Sequence, residues 1–150
     1  EVAYVADADA ELAALGSTDL ARVAVVDGRF ADILGSDALQ SDSTATVELT
    51  GYEANRLSYK VMSRNGGVVV LSEIYYPGWT CTIDGEPTDI ARADYVLRAV
   101  RVPAGEHELV FSFDPQTVHV TEAIAYGALV LLALMLVLLV GVSLYRKTRS

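Results

Sequence analysis

Three successive patterns of apolar and polar residues divide the chain. In residues 1–43, short apolar runs alternate with polar residues and glycines, which is typical of mixed α/β structure. From Thr46 onward, apolar residues recur at every second position, as they do in β-strands with one buried face. From Ala123 to Tyr145 the chain has 23 consecutive residues without a charge. The pattern therefore predicts a mainly β protein with a short α/β lead-in and one C-terminal transmembrane helix.

Residues 1–43 predict the lead-in segment. Asp7 or Asp9 can cap a short helix, because a carboxylate accepts hydrogen bonds from the free N–H groups of the first turn. In chain order the predicted elements are a helix that ends at Leu15 before Gly16, a buried strand over 24–26, and one or two helical turns over 29–34. The polar run 35–43 (GSDALQSDS) then predicts a linker.

Residues 44–115 predict a small antiparallel β-sandwich. Leu57, Tyr59 and Val61 alternate with polar neighbours, which predicts a strand with one buried and one solvent-exposed face. Turn residues separate about six or seven such runs at intervals of about 8–12 residues, a spacing typical of sandwiches. Residues 68–75 begin apolar on both faces, so we expect them to form a central strand.

Two turns organise the end of this domain. Asp84-Gly85 lies between two extended runs and predicts a type I′ hairpin turn, which needs positive φ at both central positions. Residues 103–105 (Pro-Ala-Gly) predict a second tight turn, with 106–113 as the returning strand.

The apolar segment is long enough to cross a membrane. Ile124 to Leu144 is 21 residues, or about 30 Å of helix, which matches the hydrocarbon thickness of a bilayer. A buried helix of a globular protein is the alternative, but the run 129–136 leaves no polar face. We therefore predict a linker over 116–122, a transmembrane helix over 123–145 and a basic tail over 146–150.

Charge predicts the orientation of this helix. All 20 acidic residues precede it, whereas Arg146, Lys147 and Arg149 follow it. Because basic flanks stay in the cytoplasm, we expect a cytoplasmic C-terminus, a place in the cytoplasmic membrane and an extracytoplasmic segment 1–122. Residues 1–25 contain neither an export signal nor a membrane helix, so we also expect one or the other upstream, in a longer membrane protein. The net charge of −9 argues against nucleic acid as a partner.

The chain contains no catalytic or metal-binding signature. Cys81 lies in an apolar strand pattern and is interpreted as a core residue. His107 and His119 lack the spacing of metal ligands, and His107 is expected to be an exposed strand residue. Carboxylate pairs such as Asp84 with Glu86 flank turns. At such positions acidic residues commonly increase solubility, so we do not interpret these pairs as acid–base catalysts.

The stretch 72–79 (SEIYYPGW) is the most distinctive feature. Tyr75, Tyr76 and Trp79 surround a Pro-Gly turn and are candidates for contact with a glycan or a partner, because aromatic rings stack on sugar faces. Alternatively, Trp79 packs into the sandwich, since it is in phase with Cys81. Glu73 lies within an otherwise apolar strand, and we expect it to form an ion pair.

The expected partner of Glu73 is Arg98 or Arg92. Both arginines lie within the run 92–105, and a structural ion pair is favoured over a catalytic role.

The motifs SEIYYPGW, IDG, RADYVLRAVRVPAG and HELVFSFDP follow one another over 72–115, before the apolar helix. In order and spacing they resemble the C-terminal end of bacterial YfhO-type membrane proteins. Residues 23–27 (VAVVD), followed by Arg29-Phe30, resemble the strand that precedes the sandwich in that family, so the resemblance extends over essentially the whole chain.

The resemblance implies a large multispanning protein similar to the GT-C class of lipid-linked sugar transferases. It implies a polyprenyl-phosphate sugar as donor, an envelope glycan or lipid as acceptor, and the bilayer and upstream helices as partners. The acidic catalytic residues of that class lie in early loops, upstream of this chain. No catalytic residue or cofactor is therefore assigned here, and the chain is interpreted as a non-catalytic extracytoplasmic domain.

Two other interpretations remain open from the residues alone. A single-pass, membrane-anchored module could bind glycans through the aromatic stretch, or the sandwich could have a purely structural role. The first predicts a lone signal peptide upstream of Glu1, whereas the multispanning interpretation predicts many apolar spans there.

Overall fold

A computed structural model of the chain describes residues 1–35 and 42–149. It contains two compact units, Glu1–Asp114 and Pro115–Ser150. We call the first unit the β-domain. The linker predicted over 35–43 lies largely outside the described residues.

The β-domain combines ten strands with two short helices in the part of the chain that the structure describes. In order, they are β1 (Val2–Val5), α1 (Ala8–Leu15), β2 (Ala24–Asp27), α2 (Ala31–Leu34), β3 (Thr46–Glu53), β4 (Arg56–Ser63), β5 (Gly67–Ile74), β6 (Trp79–Ile83), β7 (Glu86–Thr88), β8 (Ala91–Ala93), β9 (Leu97–Val102) and β10 (Gly105–Phe113). A 3₁₀ turn, Gly28–Phe30, precedes α2. The predicted helix cap is confirmed, because the Asp7 carboxylate accepts a hydrogen bond of 2.9 Å from the Ala10 N–H.

Two antiparallel sheets form the predicted sandwich. One has the strand order β3-β4-β10-β6-β7, and the other has the order β5-β9-β8. Eight strands thus build the sandwich, against the six or seven predicted. Between the sheets lies an apolar core with contributions from five strands, namely Leu57 and Val61 of β4, Leu71 of β5, Cys81 of β6, Val100 and Val102 of β9, and Leu109 and Phe111 of β10.

A second apolar cluster covers the outer face of the three-stranded sheet. There β1 and β2 pair in parallel, and β2, the 3₁₀ turn and α2 pack against β8 and β9. Val26, Phe30 and Leu34 are buried against the small side chains of Ala91 and neighbouring strand residues. Because alanine side chains are short, they let the lead-in elements approach the sheet closely.

The expectation that β5 is a central strand is wrong. It pairs only with β9 among the described strands and lies at the edge of the three-stranded sheet. Val69 and Leu71 face the core between the sheets, whereas Val68 and Val70 face the second cluster. The strand is apolar on both sides because both faces of its sheet are covered, and this does not require two neighbouring strands.

The two predicted turns have different outcomes. At Asp84-Gly85 the φ angles are 53° and 87°, so the type I′ hairpin is confirmed between β6 and β7. The turn at 103–105 does not close a hairpin, because β9 lies in one sheet whereas β10 pairs with β4 and β6 in the other. The Pro-Ala-Gly sequence of this turn predicts that the chain reverses direction, but it does not predict which strand the next strand pairs with.

We expect Gly66→Ala to lower the free energy of unfolding by about 2 kcal/mol. Gly66 has a φ of +69°, and a Cβ atom there would lie 2.7 Å from the backbone oxygen of Val102. Gly67 is a matched control, because a Cβ atom at that position would meet nothing within 4 Å. Urea unfolding of both variants measures the difference, and equal stability of the two would contradict this reading of the turn.

Beyond the β-domain, a single helix, α3, extends over Gln116–Arg149. Residues 116–122, predicted as a linker, are therefore helical. Val120–Gly141 is a stretch of 22 residues with a mean hydropathy of 2.8, which is long and apolar enough to cross a membrane. Its described large apolar side chains are exposed, as a lipid-facing helix requires.

Candidate functional site

A cleft of about 380 Å³ lies beside the aromatic stretch identified in the sequence. The turn between β5 and β6 forms one wall, and the segment from β7 to β8 contributes the other. Side chains that line it include Tyr75, Tyr76, Trp79, Thr88, Asp89 and Arg98. The volume falls within the range of about 300–1,000 Å³ that is usual for small-molecule sites.

Trp79 packs against the core between the sheets, as the strand phase predicted. Its ring centroid lies 5.3 Å from that of Phe113. The guanidinium carbon of Arg98 lies 4.1 Å from the Trp79 centroid, which is a close cation–π contact. Phe113 and Arg98 both contact the Trp79 ring and cover part of its surface. The role of Trp79 at the cleft is therefore to hold its neighbours in place, and its ring is less available to a ligand than an uncovered ring would be.

The other two aromatic side chains have different surroundings. Tyr75 makes an edge-on contact with Phe30, with ring centroids 5.9 Å apart, and joins the second apolar cluster. Tyr76 is 61% exposed, and its centroid lies 6.3 Å from that of Phe113. Of the three predicted contact residues, Tyr76 therefore offers the ligand-accessible ring.

Arg98 is the most unusual group at the cleft. Its side chain is only 2% exposed, and its Nη2 donates to a carboxylate oxygen of Glu73 at 3.3 Å. This confirms the predicted ion pair and selects Arg98 over Arg92. Burial lowers the pKa of Arg98 from its ordinary value, and the Glu73 carboxylate opposes that shift. The guanidinium nevertheless stays charged, because the pKa of arginine lies far above neutral pH.

Burial also makes Cys81 unreactive. The cysteine lies in the core between the sheets at 2% exposure. Desolvation raises the pKa of its thiol to about 12, so the thiolate does not form at neutral pH. The prediction that Cys81 is a core residue is confirmed.

Sequence reasoning missed a buried carboxylate in α1. Glu11 is fully buried, and it accepts hydrogen bonds from the Arg92 guanidinium at 2.6 Å and from the Tyr95 N–H at 2.8 Å. Arg92 also lies 3.8 Å from Asp27. The available signal was the position of Glu11 among the alanines and leucines of α1, where Asp9 is the other carboxylate. This cluster joins the lead-in segment to the sandwich and is structural.

His107 is not the exposed strand residue that was expected. Only 16% of its side chain is exposed, and its Nδ1 lies 2.6 Å from a carboxylate oxygen of Asp84. The second Asp84 oxygen accepts a hydrogen bond from the Glu108 N–H. The hydrogen bond to Asp84 raises the pKa of His107, and the same bond lowers the pKa of Asp84.

We expect the imidazole of His107 to titrate above its ordinary pKa of 6.5. Since the folded pKa is raised, the stabilising contribution of this histidine is complete below pH 6.5 and is lost as pH rises through the folded value. The Asp84 contribution is lost as pH falls below its ordinary value of 3.8. An NMR titration checks this, and Asp84→Asn should return the midpoint towards 6.5; an unchanged midpoint would argue against the pair.

A larger groove of about 730 Å³ runs along β5. Several valines line it, and two of its carboxylates already accept hydrogen bonds. Asp42 accepts hydrogen bonds from Thr44 and from the Arg64 N–H, and Asp94 accepts one from the Val25 N–H. None of the described residues that line this groove has a buried, unpaired side-chain donor, whereas Arg98 has two. The cleft that Arg98 lines beside Tyr76, here called the Arg98 cleft, is therefore the stronger candidate.

The family of the chain follows from a comparison with known proteins. Residues 36–125 match the family described as bacterial membrane protein YfhO, so the match covers 90 of the 150 residues. The chain belongs to the YfhO family. No curated protein and no solved structure matches it significantly.

The matched range of the YfhO family includes the whole sandwich and the start of α3. It therefore contains Glu73, Trp79 and Arg98, whereas Glu11 and the other residues of 1–35 lie outside it. The resemblance of residues 23–30 to the family stays a prediction.

Proposed function

We propose that this chain is the non-catalytic extracytoplasmic domain and last membrane helix of a multispanning YfhO-family protein that transfers sugars from a polyprenyl-phosphate donor. The observation that carries the proposal is the apolar α3 stretch joined to an acidic β-domain. Membership of a membrane-protein family supports a membrane-anchored domain of this kind.

The proposed orientation follows from charge. Arg146, Lys147 and Arg149 follow the apolar stretch, and all the acidic residues precede it. Basic flanks stay on the cytoplasmic side of the inner membrane, which leaves the β-domain outside. Reporters fused after Ser150 of the full-length protein test this: green fluorescent protein should fluoresce and alkaline phosphatase should be inactive, and the opposite result would reject the orientation.

The proposed role is to cover the active-site cavity or to help hold an envelope glycan or lipid acceptor. The cleft beside Tyr76 supports a contact role, because it combines an exposed ring with polar groups. The purified chain should show no sugar transfer by itself. In membranes that contain the full-length protein, deletion of 44–115 should abolish incorporation of labelled sugar into the envelope acceptor; retained incorporation in an equally abundant variant would reject the contact role.

A second candidate function is glycan binding by a single-pass surface module, which the exposed Tyr76 ring favours. Hydropathy of the reading frame upstream of Glu1 separates the two candidates. Many apolar spans support the transferase interpretation, and a lone signal peptide supports the surface module.

A further inference from the structure

Arg98 has hydrogen-bond donors that no described residue accepts. The side chain is 2% exposed, and its Nε and Nη1 atoms are buried without a protein partner. Trp79 stacks on the guanidinium, so the N–H groups at the edge of that plane remain for hydrogen bonding. A buried charge with unmet donors is costly, and an acceptor that enters from outside would reduce that cost.

The countercharge of Arg98 within the chain is weak. The Glu73 contact is long, at 3.3 Å, and the Glu73 side chain is 37% exposed. Charge-assisted hydrogen bonds between guanidinium and an oxyanion are usually about 2.7–2.9 Å. An oxyanion that enters the cleft would thus compete well with Glu73.

The cleft is the side from which such a group approaches the buried Arg98 guanidinium. Arg98 lines it together with Tyr76, Pro77 and Thr88. An acidic side chain, Asp89, is exposed at the same cleft, where solvent screens its charge. The arrangement combines a desolvated cation with an exposed aromatic ring for the uncharged part of a ligand.

We propose that the Arg98 cleft binds an oxyanion, the phosphate or carboxylate group of a sugar derivative or lipid headgroup, through the guanidinium of Arg98. The neutral part of the ligand contacts Tyr76. Trp79 holds the guanidinium in place, and Glu73 balances its charge when the site is empty. This inference does not depend on the transferase role, because the binding chemistry resides in the β-domain itself.

The test follows the Arg98 Nε–H signal by NMR. The full ¹⁵N-labelled chain is held in an uncharged polyoxyethylene detergent, which contains neither sugar nor phosphate. Glucose 6-phosphate and glucuronate are the charged probes, and glucose is the uncharged comparison. We expect a saturable shift of the Arg98 signal with a charged probe at concentrations where glucose causes none. No shift with either charged probe, or an equal shift with glucose, overturns the proposal.

The variant Glu73→Gln makes the test specific. Removal of the competing carboxylate should tighten binding of the charged probe about threefold or more, as expected for one charge removed at close range near a protein surface. Glu53→Gln is the matched control, because Glu53 is exposed on β3, at the opposite edge of the five-stranded sheet from β7. Weaker binding in Glu73→Gln, or equal tightening in the control, contradicts the proposal.

Arg98→Met should abolish binding while it retains the volume of the side chain. If this variant does not fold, Glu73→Gln and the NMR signal still decide the question. The source of the oxyanion is separated by comparing the chain in the phosphate-free detergent with the chain in nanodiscs that contain phosphatidylglycerol, without an added probe in either case. A shift of the Arg98 signal in the nanodiscs alone assigns a lipid headgroup, and a shift that requires an added probe assigns a soluble sugar derivative.

Discussion

Trp79→Ala is expected to lower the free energy of unfolding of the β-domain by about 3 kcal/mol. The indole packs against the core between the sheets and against Phe113, and it covers the guanidinium of Arg98. Its removal leaves a cavity and also takes the cation–π partner from a buried charge. Urea unfolding of the full chain in detergent, followed by circular dichroism, measures the loss.

Tyr76→Ala is the matched control for this substitution. Tyr76 belongs to the same turn but is 61% exposed, so its removal should change stability by less than about 0.5 kcal/mol. If Trp79→Ala were as stable as Tyr76→Ala, Trp79 would not be a core residue, and a ligand-stacking role for its ring would become the better interpretation.

Glu11→Ala should destabilise the β-domain by about 3 kcal/mol. The fully buried carboxylate binds Arg92 and the Tyr95 N–H, and the side chain of Arg92 is itself only 16% exposed. Truncation leaves a largely buried cation and a backbone donor without this acceptor, while Asp27, at 3.8 Å, compensates only in part. Urea unfolding is again the measurement.

Asp9→Ala tests whether this effect is specific. Asp9 lies in the same helix, but it is exposed. Its loss should cost less than about 0.5 kcal/mol. Equal effects of the two substitutions would mean that the helix as a whole, and not the Glu11 pair, joins the lead-in segment to the sandwich.

Part of the candidate site could be predicted from the sequence. Glu73 stood out as a carboxylate in an apolar strand, where a cation is expected as its partner, and the sequence left Arg98 and Arg92 as the two candidates. The phase of Trp79 with Cys81 predicted its place against the core. The cleft itself could not be predicted, because its two walls come from segments whose relative placement depends on pairing between strands.

The pairing of Asp84 with His107 also combines a part that could be predicted from the sequence with a part that could not. The hairpin turn at Asp84-Gly85 was predictable because it depends on two adjacent residues. The position of His107 beside that turn depends on the register of β10 against β6, across more than twenty residues of chain. Local chemistry specified the turn, and long-range pairing specified which side chain would meet it.

The sequence by itself determined the local features of this protein: the strand runs, the type I′ turn, the cap of α1 and the apolar helix. Each depends on residues within a few positions of one another, so periodicity and turn chemistry are sufficient to predict it. The tertiary structure alone decided that β5 is an edge strand, that β9 and β10 lie in different sheets, and that Glu11 meets Arg92. Alternation specifies which side chains face inward, but the choice of neighbouring strand follows from packing summed over the whole core.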